Sequence, residues 1–165
     1  MVSLLVLVAA AHAQAVTLSP TASVVGAHEV GVRAGLRIGF EPVPAASLEL
    51  QGDASFDGLW DAGLGLAGRW WVNPADVQGE GIFLLGRFNA GFSGYTHEVG
   101  PWTGMAIGFG GRPISLLNIE ASVGPEWTLN EGAGWRTELS LGFVLGPDTV
   151  GGKNQRHHPR PIPKG

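Results

Sequence analysis

A period of two runs along this chain from about Thr17 to Leu145 and constrains its fold more than any other feature. Over His28–Glu41, Val30, Val32, Ala34, Leu36, Ile38 and Phe40 take one face. Glu29, Gly31, Arg33, Gly35, Arg37, Gly39 and Glu41 take the other. The period is that of a strand with two different surroundings, not the 3.6 of a helix.

The same alternation predicts strands at Ala46–Phe56, Leu59–Val72, Gly81–Phe92, Trp102–Arg112, Leu117–Thr128 and Trp135–Phe143. An eighth, Thr17–Val25, precedes them, and Pro20 confines it to an edge or a bulge because proline has no ladder donor. Pro42-Val43-Pro44 stops one strand for the same reason. Asp57-Gly58, Asn73-Pro74-Ala75-Asp76 and Asn130-Glu131-Gly132 carry turn chemistry. The Gly81–Phe92 strand is the least regular, with Phe83 and Leu85 on its polar face, and Ser93–Pro101 reads as the longest loop.

Charge placement separates the architectures that share such alternation. Only 15% of residues are charged, against roughly 25% in soluble proteins. Those in the strands all fall on the polar face: Glu29, Arg33, Arg37, Glu41, Glu49, Asp53, Asp61, Arg69, Arg87, Arg112, Glu120, Glu126, Arg136 and Glu138. That face is rich in glycine, and no lysine occurs before Lys153, whereas a water-exposed face is usually dressed with long solvating side chains. On the apolar face Phe40, Phe56, Trp60, Trp70, Phe92, Trp127, Trp135 and Phe143 lie near strand ends, where membrane–water interfaces would fall. The fold class expected is therefore all-β: a closed antiparallel up-and-down transmembrane β-barrel of eight strands, apolar outward and polar inward. The alternative is a secreted soluble all-β binding protein, lipocalin-like or a sandwich, with the faces reversed.

The ends of the chain read differently. Met1–Ala15 has an apolar stretch, Val2–Ala10, followed by Ala11-His12-Ala13, an A-x-A cleavage pattern, so residues 1–13 form a signal peptide. No other apolar run reaches the roughly 18 residues of a spanning helix. The barrel domain occupies 14–145. Residues 146–165 form a basic, proline-rich disordered tail with Lys153, Arg156, Arg160 and Lys164. The chain has no cysteine, which excludes disulfides, Cys-ligated zinc and cysteine catalysis. With a formal charge of −4 and no basic run in the body, nucleic acid is not an expected partner.

A cleavable signal, eight alternating strands, aromatic girdles and a charged lumen resemble the small outer-membrane barrels of Gram-negative bacteria, the OmpA/OmpX-type superfamily. The resemblance covers about Thr17 to Leu145 and is one of pattern. It implies an outer-membrane location, a lipid bilayer as surroundings, the barrel-assembly machinery as a partner during biogenesis, and both termini in the periplasm. Members end on an aromatic residue, whereas here Phe143 is followed by Val144, Leu145 and the tail.

Side chains fill the interior of an eight-stranded barrel, so a structural or general envelope role is expected, not open conduction. Arg33, Arg37, Glu41, Glu49, Asp53, Arg69, Arg87, Glu120, Glu126, Arg136 and Glu138 are the expected lumen ion-pair network. Some outer-membrane barrels are lipid-modifying hydrolases, but these need a Ser–His–acid constellation. His28, His97, His157 and His158 show none, so no enzyme, cofactor or metal is expected and no ligand is identified. Tyr95, His97 and Glu98 form the candidate recognition loop.

Overall fold

A computed structural model of the chain describes residues 15–26, 30–43, 45–56, 58–72, 80–95, 98–129 and 132–146. They form eight strands: β1 (Ala15–Gly26), β2 (Val30–Val43), β3 (Ala46–Ser55), β4 (Leu59–Trp71), β5 (Gly81–Tyr95), β6 (Glu98–Ile114), β7 (Leu117–Thr128) and β8 (Gly132–Leu145). Each pairs antiparallel with the next, and β8 pairs back onto β1, so the sheet is an up-and-down closed barrel. Gly58 and Gly132, at φ of 93° and 81°, supply the left-handed backbone where β3 turns into β4 and β7 into β8.

Register sets the girth. Cα partners lead from Val16 through Phe40, Leu48, Leu66, Phe88 and Met105, cross β7 at the level of Pro125, and pass from Trp135 to Gly26. One circuit thus arrives on β1 ten residues beyond its start. Eight strands with that stagger tilt by about 40° and enclose a backbone cylinder about 8 Å in radius. Side chains from so narrow a wall meet across the axis.

The alternation resolves into an apolar exterior and a charged interior. Leu36, Leu66, Phe88, Ile107 and Leu139 are exposed, whereas six arginines and seven carboxylates are buried. Among the described residues, Thr103 and Thr137 are the only polar side chains on the outward phase of the strands. Thr103 Oγ1 donates to Asn89 O (3.2 Å), so that hydroxyl is satisfied within the wall.

Several expectations change. Pro20 lies at neither an edge nor a bulge: β1 pairs with β2 straight through it, and the β1–β8 ladder is interrupted between Leu18 and Thr21 with its register unchanged. Within Pro42-Val43-Pro44 the strand does stop, β2 ending at Val43, and the register against β3 slips between Phe40 and Val43, where Pro42 lies. The expected long loop Ser93–Pro101 is mostly ladder, with Ser93↔Gly100, Gly94↔Val99 and Tyr95↔Glu98 paired. Tyr95 and Glu98 therefore belong to β5 and β6, and the connection shrinks to 96–97. Outside the described residues lie the signal segment, His28, Glu29, Asp57, 73–79, His97, Asn130, Glu131 and the tail from 147 onward.

Inward glycines let the wall close this tightly. A Cβ at Gly91 would strike the carbonyl oxygen of Ala62 and lie 2.5 Å from Gly63 Cα, both main chain. At the outward-facing pair Gly68 and Gly86, a Cβ would meet nothing within 4 Å. Gly91→Ala is expected to lower stability by about 1–3 kcal/mol. Gly86→Ala should be neutral or slightly stabilising, since glycine weakens a strand interior. Urea unfolding of the two variants side by side checks the contrast, and equal midpoints would refute it.

Candidate functional site

Among the described residues, thirteen charged side chains occupy the lumen in three connected tiers, because every second residue of a strand points inward and the stagger brings distant strands level. At the end where the termini lie, Arg112 pairs with Glu41, which also receives Thr17 Oγ1 (2.9 Å) and faces Arg69 at 3.2 Å. Trp71, Phe83 and Leu85 form an apolar plug here, with the Trp71 and Phe83 rings 4.9 Å apart. Arg69 and Arg112 lie over Phe83 and Trp71 at 5.6 and 5.7 Å, so their desolvated cations rest on ring faces.

The middle tier is the densest. Arg87 bonds Glu49 Oε2 (2.7 Å) and Glu120 Oε2 (2.6 Å). Arg69 donates to Glu120 Oε1 (3.0 Å), and Asn118 Nδ2 donates to the same oxygen (2.9 Å). Arg37 reaches Glu138, lies 3.3 Å from Glu49 and is 3.6 Å from Glu120. Arg37 and Glu138 stand 101 residues apart in sequence.

Toward the opposite end, Arg136 gathers Asp53, Asp61 (3.1 Å), Glu126 (3.2 Å) and Glu138 (3.7 Å), while Arg33 takes Asp61 at 2.5 Å. Trp102, 3% exposed, lies inside the lumen, where a Cβ at Gly63 would sit 2.8 Å from its Cζ2. Glycine at 63 is what makes room for that indole. A cavity of about 20 Å³ lies among Arg87, Asn89, Trp102, Glu126, Arg136 and Glu138, room for about one water.

All eleven residues singled out for a lumen network lie in these tiers, joined by Asp61 and Arg112, which had been placed on the polar face but left out of the network. Trp71 and Trp102 also lay within reach of the sequence, since each shares the phase of its strand's arginine, Arg69 and Arg112 respectively. Of the candidate recognition residues, Tyr95 and Glu98 are strand positions and His97 is outside the described residues. Among the described residues no group of three or more His, Asp or Glu side chains is arranged to hold a metal.

Outside, most of the aromatic residues fall into two belts, with Phe88 between them. Phe56, Trp60, Phe92, Trp127 and Trp135 lie toward the 56–58 and 129–131 connections, and Phe40, Trp70 and Phe143 toward the termini. Trp60 and Trp70 are ten residues apart on β4, about 25 Å of barrel height at this tilt. Trp135 lies beside Gly26 and Trp60 beside Gly94, each the direct partner across its ladder, with a glycine Cβ position 2.7 Å from the indole. Trp135→Ala uncovers that backbone and should cost about 1 kcal/mol. A urea midpoint indistinguishable from the parent would refute this.

No family model matches the sequence, and no curated protein matches it. Solved structures do. The N-terminal β-barrel domain of Pseudomonas aeruginosa OprF superposes with a TM-score of 0.62 at 15% identity, over 81% of this chain and 98% of that one. Neisserial surface protein A (NspA) gives a TM-score of 0.55 at 10% identity, over 80% of this chain and 96% of its own. The fold is that of the small eight-stranded outer-membrane barrels. At such identities the likeness is one of architecture, and this chain's own residues must carry any functional reading.

Proposed function

We propose that the protein is an integral outer-membrane β-barrel of a Gram-negative envelope, with a structural or general envelope role and a lumen filled by paired side chains. One observation carries the reading: the outward face of the closed barrel is apolar between two aromatic belts, while thirteen charged groups of the described residues are buried inside. In water that arrangement exposes a continuous hydrophobic surface far beyond what a soluble monomer tolerates. In lipid it is the stable one, since a closed sheet satisfies its backbone internally and a band about 25 Å tall matches the hydrocarbon layer. Residues 1–13 act as a cleaved signal, the barrel inserts with help from the assembly machinery, and the termini and residues 146–165 face the periplasm. The lumen network is structural, and the protein is not an enzyme.

The test is detergent dependence together with heat-modifiable migration on a gel. The expected result is a barrel that is soluble and folded only in detergent or lipid, with a boiled form that migrates differently. A folded monomer in plain buffer would overturn the proposal in favour of a secreted soluble protein.

A further inference from the structure

The charges of the lumen do not balance. Among the described residues, seven buried carboxylates face six buried guanidiniums. An uncompensated charge in a low-dielectric interior is costly, and the usual remedies are a bound proton or a bound cation. The surplus has a definite address. Asp53 and Asp61 are direct partners on β3 and β4, are 5% and 3% exposed, and project side by side into the lumen as a cross-strand pair.

Three of their four oxygens have protein donors. Asp53 Oδ1 accepts from Thr21 Oγ1 (2.9 Å), and Asp53 Oδ2 pairs with Arg136. Asp61 Oδ2 accepts from Arg33 (2.5 Å) and Arg136 (3.1 Å). Asp61 Oδ1 is buried and accepts nothing. Among the described residues, the charged groups that pair at this end are Arg33 from β2, Glu126 from β7, and Arg136 and Glu138 from β8. The other strands contribute neutral Thr21, Ser23, Ser93 and Trp102. Both cations are already engaged by these carboxylates and Glu126. A proton between two adjacent carboxylates would meet the need, because like charges that close cannot both ionise cheaply.

We propose that Asp53 and Asp61 share one proton, carried on Asp53 and donated to Asp61 Oδ1, and that this bound proton neutralises the surplus carboxylate of the lumen. The proton comes from water on folding and leaves one carboxylic acid and one carboxylate. The inference goes beyond the envelope role and rests on the closed lumen, whatever the compartment.

Infrared spectroscopy of the folded full chain in detergent micelles tests it. At neutral pH the parent should show a protonated-carboxyl C=O stretch equivalent to one group per chain. Asp53→Asn should remove that band and still fold with unchanged heat-modifiable migration, since its amide N–H donates where the O–H did. Asp61→Asn should unfold at lower temperature, having lost an acceptor that Arg33 and Arg136 use. A parent without the band, a band that survives Asp53→Asn, or failure of Asp53→Asn to fold would each overturn the proposal. A melting temperature that climbs with sodium at constant ionic strength, with no band, would place a cation there instead. None of these readouts depends on the membrane assignment, which detergent dependence tests separately.

Discussion

Glu120→Leu is expected to destabilise the barrel by about 3–5 kcal/mol, the cost of leaving buried guanidiniums without their partner. Glu120 takes Arg87 on one oxygen at 2.6 Å, and Arg69 and Asn118 on the other. Arg37 lies 3.6 Å away. Leucine fills much of the space but accepts no hydrogen bond, so three cations lose a carboxylate that cannot be replaced by bulk water. Urea unfolding in detergent micelles measures the loss, and the temperature needed to convert the folded gel band should fall with it. Glu120→Gln keeps an acceptor and should lose less. An Glu120→Leu barrel with the parent's midpoint would mean the network contributes nothing to stability.

A charge on the opposite face should be nearly as damaging, for the opposite reason. Leu139 sits on β8 midway between Trp135 and Phe143 and is 58% exposed. Leu139→Arg at an outward position half-way between the belts should cost about 2–4 kcal/mol in lipid. The same change on a water-exposed surface typically stays within about 0.5 kcal/mol. Unfolding titrations in phospholipid vesicles provide the measurement. Leu145→Arg, at the strand end, should cost much less, because the penalty falls toward the interface. Equal, small effects at both positions would argue that neither faces hydrocarbon.

Much of the fold is legible in the sequence, because a strand's side-chain period is local. Val30 to Phe40 against Arg33 and Arg37 needs only the geometry of one strand. The errors arose where non-local pairing overrides local punctuation. Pro20 looks like a strand breaker, but a closed sheet tolerates a missing donor when the ladder skips on one side only. Ser93–Pro101, with its glycines and prolines, looks like a loop until β5 and β6 pair through it. Phe83 and Leu85 follow the phase of Arg87 onto the polar face in spite of their hydrophobicity, and the structure buries both, because a one-residue slip would turn the whole strand over.

The sequence by itself determined the two faces, the charge-free composition of one of them and the approximate length of each strand, since all three follow from period two along a single chain. Which face closes inward does not follow from the period, which is symmetric under exchange of inside and outside, but from the glycine-rich, lysine-free polar face and the aromatic residues at strand ends. The sequence did not determine that Arg37 meets Glu138, that Arg136 gathers four carboxylates, or that Asp53 and Asp61 lie side by side with an oxygen unpaired. Those depend on eight registers summing to a ten-residue stagger around a cylinder about 8 Å in radius. Only when the last strand pairs with the first are the inward residues of all eight brought to common heights.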